Sequence, residues 1–241
     1  MKFQLFQFLP RYFSEATIVF LSILLSFYFE DLRITKEKNS YKNELVMDMQ
    51  KIIDLELNQL NNIRNMQNRC LVAGEELLSD LLSQNQSLTD REIAERLLLL
   101  MQRGTVSFFS QNGIYEELKS TGSTELIKSK NFRYALSDTY NNLFQRNLAV
   151  SRIIDDYFFN AIARINKKII IISKEKKDEG YVYSELVPTF YKIDKEYYRS
   201  DEFLSDVNQM KSLVERYLDL ISALDKSYND LKIYSQEELS L

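Results

Sequence analysis

Between Pro10 and Gly74 the chain carries neither glycine nor proline, and its 241 residues hold only 5 glycines and 2 prolines in all. Tight reversals need those residues, because glycine supplies positive φ and proline presets φ near −65°. A chain so poor in them cannot make the many close turns of a β-sandwich or barrel. It can make a few long helices. Hydrophobic residues make up 45% and charged residues 27%, the balance of an ordered globular chain. The length admits one large domain or two small ones.

From Ala16 to Phe29 the sequence reads ATIVFLSILLSFYF, without a charge. A membrane span needs about 20 residues. Pro10 suits a first helical position, where its missing N–H costs nothing, and a helix over 10–29 is about 30 Å long. Tyr12 and Tyr28 then fall near opposite interfaces. Phe3, Leu5, Phe6, Phe8 and Leu9 make residues 1–9 a candidate interfacial segment. A buried core helix is one alternative. A cleaved signal peptide is another, but no small-residue cleavage site follows the bulky Phe27-Tyr28-Phe29. The expectation is an uncleaved, single-pass anchor. Lys2 and Arg11 precede it, and Arg33, Lys36, Lys38 and Lys42 follow, a slight lean towards a cytoplasmic C-terminal region.

The polar residues of this helix are ordered. At 100° per residue, with Glu15 at zero, Arg11, Ser22, Ser26, Glu30 and Arg33 all fall in one sector about 100° wide. Phe20, Leu21, Leu24, Phe27 and Tyr28 lie opposite. A carboxylate facing lipid is costly, so Glu15 should face protein, water or a partner charge. Ser22-x-x-x-Ser26 permits close helix approach. The stripe reads first as a homo-oligomer contact. A ring of copies around an aqueous path with Glu15 at its entrance is the alternative, and a single helix with snorkelling charges is a third.

Helical spacing continues through Leu45, Met49, Ile52, Ile53, Leu57, Leu60, Ile63 and Cys70, so the membrane helix is expected to run on to about residue 82. Thr89-Asp90-Arg91-Glu92 is a capping box opening a helix that ends near Gly104. Thr105–Gln111 suits a short extended piece. Two short helices follow around Gly122. A third long helix is expected over 131–176, with Lys167, Lys168, Lys174, Lys176 and Lys177 as a dipole complement or a lipid-headgroup patch. A loop follows, and the last helix is expected over 201–235. There Phe203, Val207, Met210, Val214, Tyr217, Ile221, Leu224, Tyr228 and Leu231 form an unbroken 4-3 seam. Leu204, Leu213, Leu218 and Leu220 widen it, which favours an intrachain bundle over an intermolecular coiled coil. The expected fold class is all-α: an N-terminal transmembrane helix followed by a bundle of long antiparallel helices over 30–241.

The chemistry is thin. There is no histidine and one cysteine, which excludes histidine triads, disulfides within the chain and cysteine-cluster sites. Glu75-Glu76, Glu116-Glu117, Asp155-Asp156 and Glu237-Glu238 are neighbours, which diverge by 100° on a helix. Cys70 reads as a small core residue. No nucleotide-binding glycine pattern is present, and no cofactor is implied. The net charge of −4 and pI near 5.2 argue against nucleic acid as a partner. One stretch, Lys119, Ser120, Thr121, Gly122, Ser123 and Thr124, could hold an anion at a helix N-terminus. The plainer reading is that Gly122 ends one helix and Ser123 or Thr124 caps the next.

Tyr115, Leu118, Lys119, Ser120, Thr121, Gly122, Leu126 and Ile127, then Phe132, Arg133, Leu136 and Tyr140, resemble the signature of an uncharacterised family of bacterial membrane proteins. The position of Glu15 before the apolar run is similar too. The resemblance implies a single-pass protein of the bacterial cytoplasmic (inner) membrane and no reaction. The expected function is a membrane-anchored, homo-oligomeric scaffold or adaptor without catalysis, with the bilayer and further copies of itself as partners. The oligomeric pore is the rival, and carboxylate enzyme chemistry a distant third.

Overall fold

The computed structural model describes residues 5–83, 87–102, 106–176 and 186–241, with residues 5–12 described by backbone alone. One helix, α1 (Leu5–Leu82), runs for 78 residues, about 115 Å at 1.5 Å per residue. Its start at Leu5 places Pro10 inside the helix and not at its first position. The cost is the backbone bond that a residue at position 10 would otherwise donate to position 6. Residues 13–38 are exposed throughout. The apolar segment is long enough to cross a membrane and none of it is buried in the body. It is therefore not a core helix of the described body.

Burial begins at Lys42 and Leu45. The chain then continues as α2 (Asp90–Met101), α3 (Gly113–Ser120), a 3₁₀ turn (Ser123–Leu126), α4 (Lys130–Ser137), a π-helical turn (Asp138–Leu143), α5 (Phe144–Ile165), strands β1 (Ile169–Glu175) and β2 (Leu186–Ile193), α6 (Lys195–Tyr198) and α7 (Asp201–Ser240). Helix α7 runs antiparallel to α1. Gln50 meets Ser235, Asp54 meets Lys232 and Arg64 meets Asp225. On its other side, Thr139 meets Ser227 and Arg164 meets Asp206. All nine seam residues of α7 are buried, so the seam is spent inside the chain.

Where α1 and α7 cross, Gly74 allows close approach. A Cβ there would lie 3.1 Å from Lys211 Cβ. The predicted capping box is present. Thr89 Oγ1 accepts from the Glu92 N–H at 3.3 Å, and the Glu92 carboxylate accepts from the Thr89 N–H at 2.8 Å. Thr89→Ala is expected to cost about 1 kcal/mol, read as a lowered denaturant midpoint at unchanged slope.

Two expectations need correction. The single helix over 131–176 does not form. A π turn interrupts it, α5 stops at Ile165, and Ile169–Ile172 open a strand. Four consecutive β-branched isoleucines suit a pleated surface better than a helix. β1 pairs antiparallel with β2, Ile169 opposite Ile193 and Ile172 opposite Phe190, with a register shift after Ile172. Pro188 sits at that irregularity, where the ladder tolerates a missing donor. The fold is thus mostly all-α, with a small two-stranded sheet added. Lys174, in β1, and Lys176, just after it, accordingly do not cap a helix. The second correction is smaller: α7 reaches Ser240, five residues past its expected end. Gly104, Thr105, Lys177, Gly180 and the Arg11 side chain lie outside the described residues.

Candidate functional site

The polar face of the apolar N-terminal part of α1 comes first. Ser22 Oγ donates to the Ile18 carbonyl at 2.8 Å and Ser26 Oγ to the Ser22 carbonyl at 2.9 Å. Thr17 does the same to Phe13 at 2.8 Å. Each hydroxyl hydrogen is bonded inside its own helix. Glu15 is exposed, at the N-terminal end of the stripe. Beyond the apolar segment, Arg33 holds Glu30 and Glu37, each at 2.6 Å. Glu37 lies on the same azimuth and extends the stripe by one turn.

At the end of the body nearest this helix, Glu238 of α7 is 1% exposed. One carboxylate oxygen accepts from the Lys42 ammonium. The other accepts from the backbone N–H groups of Lys128 and Ser129, at 2.9 and 2.8 Å. Burial pushes this carboxyl up, but the Lys42 ammonium and the two N–H groups outweigh it and hold the group below the ordinary glutamate value. Ser129 also caps α4 through the Phe132 N–H. Residues 115–140 thus form a structural closure around the end of α7. Tyr115, Leu118, Ile127, Phe132, Leu136 and Tyr140 are all buried, and Tyr115 stacks on Tyr140 with ring centres 4.6 Å apart.

The candidate anion turn sits in the same region. Gly122 has φ of 71° and ends α3 as expected. The Ser120 and Thr121 hydroxyls donate to the Glu117 carbonyl, Ser123 bonds Thr121, and Lys119 pairs with Glu116. No side chain caps the 3₁₀ turn, so neither Ser123 nor Thr124 has that role. The Ser120, Thr121 and Ser123 hydroxyls thus bond within the turn itself.

The middle of the body encloses a segment without regular structure. Val106, Ser107 and Phe108 are buried, and a buried loop must have its backbone groups satisfied. Side chains do this. Gln67 donates to the Val106 carbonyl at 3.1 Å, Asn147 donates to the Phe108 carbonyl at 2.8 Å, and the Phe108 N–H donates to the Tyr217 hydroxyl at 2.7 Å. Ser110 bonds Tyr228 at 2.6 Å, and the Gln111 N–H donates to Glu56 at 2.6 Å. The second Glu56 oxygen is buried without a partner. Burial pushes this carboxyl up to about 7, against the opposing pull of the Gln111 N–H.

At the far end, Asp80 accepts from the Ser87 and Leu88 N–H groups and the Tyr198 hydroxyl, at 2.7, 3.0 and 2.8 Å. Burial opposes the charge, yet these bonds and Lys195 hold its carboxyl below the usual aspartate value. The carboxylates at Glu238, Glu56 and Asp80 are therefore spaced along the α1–α7 seam by about 20 and 35 Å at 1.5 Å per residue. They cannot act on one substrate. Cys70 is buried with its thiol at the Leu99 carbonyl. Among the described residues no three metal-ligating side chains gather to hold an ion. A surface groove lined by Arg69, Val72, Arg96 and Pro188 is crossed by an Arg96–Glu76 ion pair at 2.6 Å.

Sequence patterning contained a signal for these buried polar groups. Met49, Ile53, Glu56, Leu60, Ile63, Gln67 and Cys70 follow one another at spacings of 4 and 3, and all are buried. Glu56 and Gln67 complete the apolar stripe. Asn147 and Ser151 complete that of α5, and Ser235 and Glu238 that of α7. No family model, curated protein or solved structure matches the chain.

Proposed function

We propose that this protein is a membrane-anchored, homo-oligomeric helical scaffold or adaptor without catalysis, held in a bacterial cytoplasmic membrane by residues 10–29. In this reading the body is a helical bundle in which α1 and α4–α5 each run antiparallel to α7. It lies on the cytoplasmic side, where the greater number of basic residues follows the span. The observation that carries the reading is the bonding of Ser22 and Ser26 to their own helix. With their hydrogens bonded within the helix, these serines present small side chains that allow dry, close helix packing.

The test is the oligomeric state of the full-length protein in detergent, by native mass spectrometry, for the parent chain and for Ser22→Leu combined with Ser26→Leu. The parent is expected to be a defined oligomer and the double variant to fall to monomer, because the larger side chains hold the helices apart. A monomeric parent, or an unchanged oligomer in the variant, overturns the reading. A closed ring that conducts ions in liposomes overturns it in favour of a pore with Glu15 at its entrance.

A further inference from the structure

The transmembrane stripe has a continuation that the body leaves uncovered. Helix α1 is unbroken from the span into the body, so azimuth carries over from one to the other. On the same scale, with Glu15 at zero and 100° per residue, Lys42, Leu45, Met49, Ile53, Glu56 and Leu60 all fall within about 60° of the opposite side. Every one of them is buried. Within about 40° of Glu15 itself fall Glu37, Glu44, Met47, Lys51, Leu55 and Asn62. Every one of these is exposed, with Met47 at 48% and Leu55 at 55%. The body therefore hangs from the back of the helix that carries the stripe. The free front extends from Glu15 to Asn62, about 70 Å at 1.5 Å per residue.

We infer that this front is one continuous self-association surface, and that its occupant is the α1 helix of a second copy. The inference rests on the homo-oligomer reading above and extends it from the membrane into the body. The bilayer selects the occupant. A second copy anchored by the same segment has its α1 at the same height and in the same direction, so the two helices meet parallel and in register. Facing residues repeat with a mean spacing close to 3.6 from Ser22 to Asn62. That keeps the face on one side of a nearly straight helix and demands little supercoiling. The charges suit a copy of the same face. Arg33 lies between Glu30 and Glu37 on this face, and a parallel partner brings its own carboxylates within one turn of each Arg33. Met47 and Leu55 lose their exposure to water in that arrangement. The two bodies point outward, away from the common axis.

Cysteine cross-linking of the full chain in native membranes tests this, because the native Cys70 is buried and leaves a low background. Leu55→Cys reports the body, Ser26→Cys the span, and Lys38→Cys the opposite side of the exposed stalk. Copper-phenanthroline oxidation is expected to give a disulfide dimer at Ser26→Cys and at Leu55→Cys and none at Lys38→Cys. A dimer at Ser26→Cys without one at Leu55→Cys overturns the inference and leaves the homo-oligomer standing. A dimer at Lys38→Cys equal to that at Leu55→Cys reveals random collision and also overturns it. No dimer at Ser26→Cys overturns the homo-oligomer reading itself.

Discussion

Replacing Glu238 with alanine is expected to destabilise the body by about 3–5 kcal/mol, the cost of breaking a buried ion pair by removing one partner. The cost lies in the groups the substitution leaves without a partner. The Lys42 side chain is 4% exposed, so its ammonium would remain in the interior without a counter-charge. The N–H groups of Lys128 and Ser129 would lose their acceptor as well. A body of about 200 residues shifts in melting temperature by about 2–4 °C per kcal/mol, so a fall of about 10 °C is expected for the full chain in detergent. Lys42→Met combined with Glu238→Gln should recover most of it. The amide oxygen still accepts from the two N–H groups, and no charge is left buried. A loss below about 1 kcal/mol for Glu238→Ala would mean that the pair behaves as a surface salt bridge. The pH dependence has a definite sign. The folded-state value of Glu238 is lowered, so its contribution is present above the ordinary glutamate value and lost as the pH falls through the folded one. Acid should therefore loosen the junction between α1 and the end of α7.

The parts of this fold that sequence disclosed are those where one physical signal acts alone. The glycine- and proline-free run from Arg11 to Ala73 leaves α1 no place to break, and it does not break. The 4-3 seam of α7 is apolar at nine successive positions, and all nine are buried. The Thr89–Glu92 box is local chemistry and forms locally. The failures occur where two signals overlap. Ile169 and Ile172 satisfy helical spacing as the end of α5, yet four adjacent isoleucines favour a strand, and pairing with residues 186–193 decides between them. That pairing is a long-range fact which no window of sequence contains. The buried polar residues were hidden for a related reason. Glu56, Gln67 and Asn147 look like interruptions of apolar stripes until the segment 106–112 is seen threading between the helices. Its backbone groups need partners, and the polar residues sit at the stripe positions that face it. Of the polar stripe on the apolar part of α1, the azimuths were legible and the relation to the body was not, because that depends on which side of α1 the body occupies.

Glu56 should make the protein less stable as the pH rises towards neutrality, and Glu56→Gln should abolish this. The group is 1% exposed and its folded-state value lies near 7, above the ordinary 4.5. The folded protein thus binds this proton more tightly than the unfolded chain does. Below about pH 4.5 both states hold the proton and the group has no effect on stability. Between about 4.5 and 7 the unfolded chain releases it first, and the folded state weakens with each unit. Above 7 the cost levels off, at about 3 kcal/mol for a rise from 4.5 to about 7 at 1.36 kcal/mol per unit. The neighbouring phenols do not share the load. Burial, then the Glu56 charge, raises Tyr140. Burial, Tyr140 and Glu56 in turn raise Tyr228, so neither ionises before the carboxyl does. Gln111 supplies the one hydrogen bond to the group, and glutamine can still accept it. The variant at pH 8 should therefore gain about 3 kcal/mol over the parent, while the two should differ little at about pH 4. Denaturant midpoints measured across that range decide the matter, and parallel curves for parent and variant would sink the assignment. Glu56→Leu separates charge from hydrogen bond. It removes the titration but strands the Gln111 N–H, at a cost of about 1–3 kcal/mol that does not vary with pH.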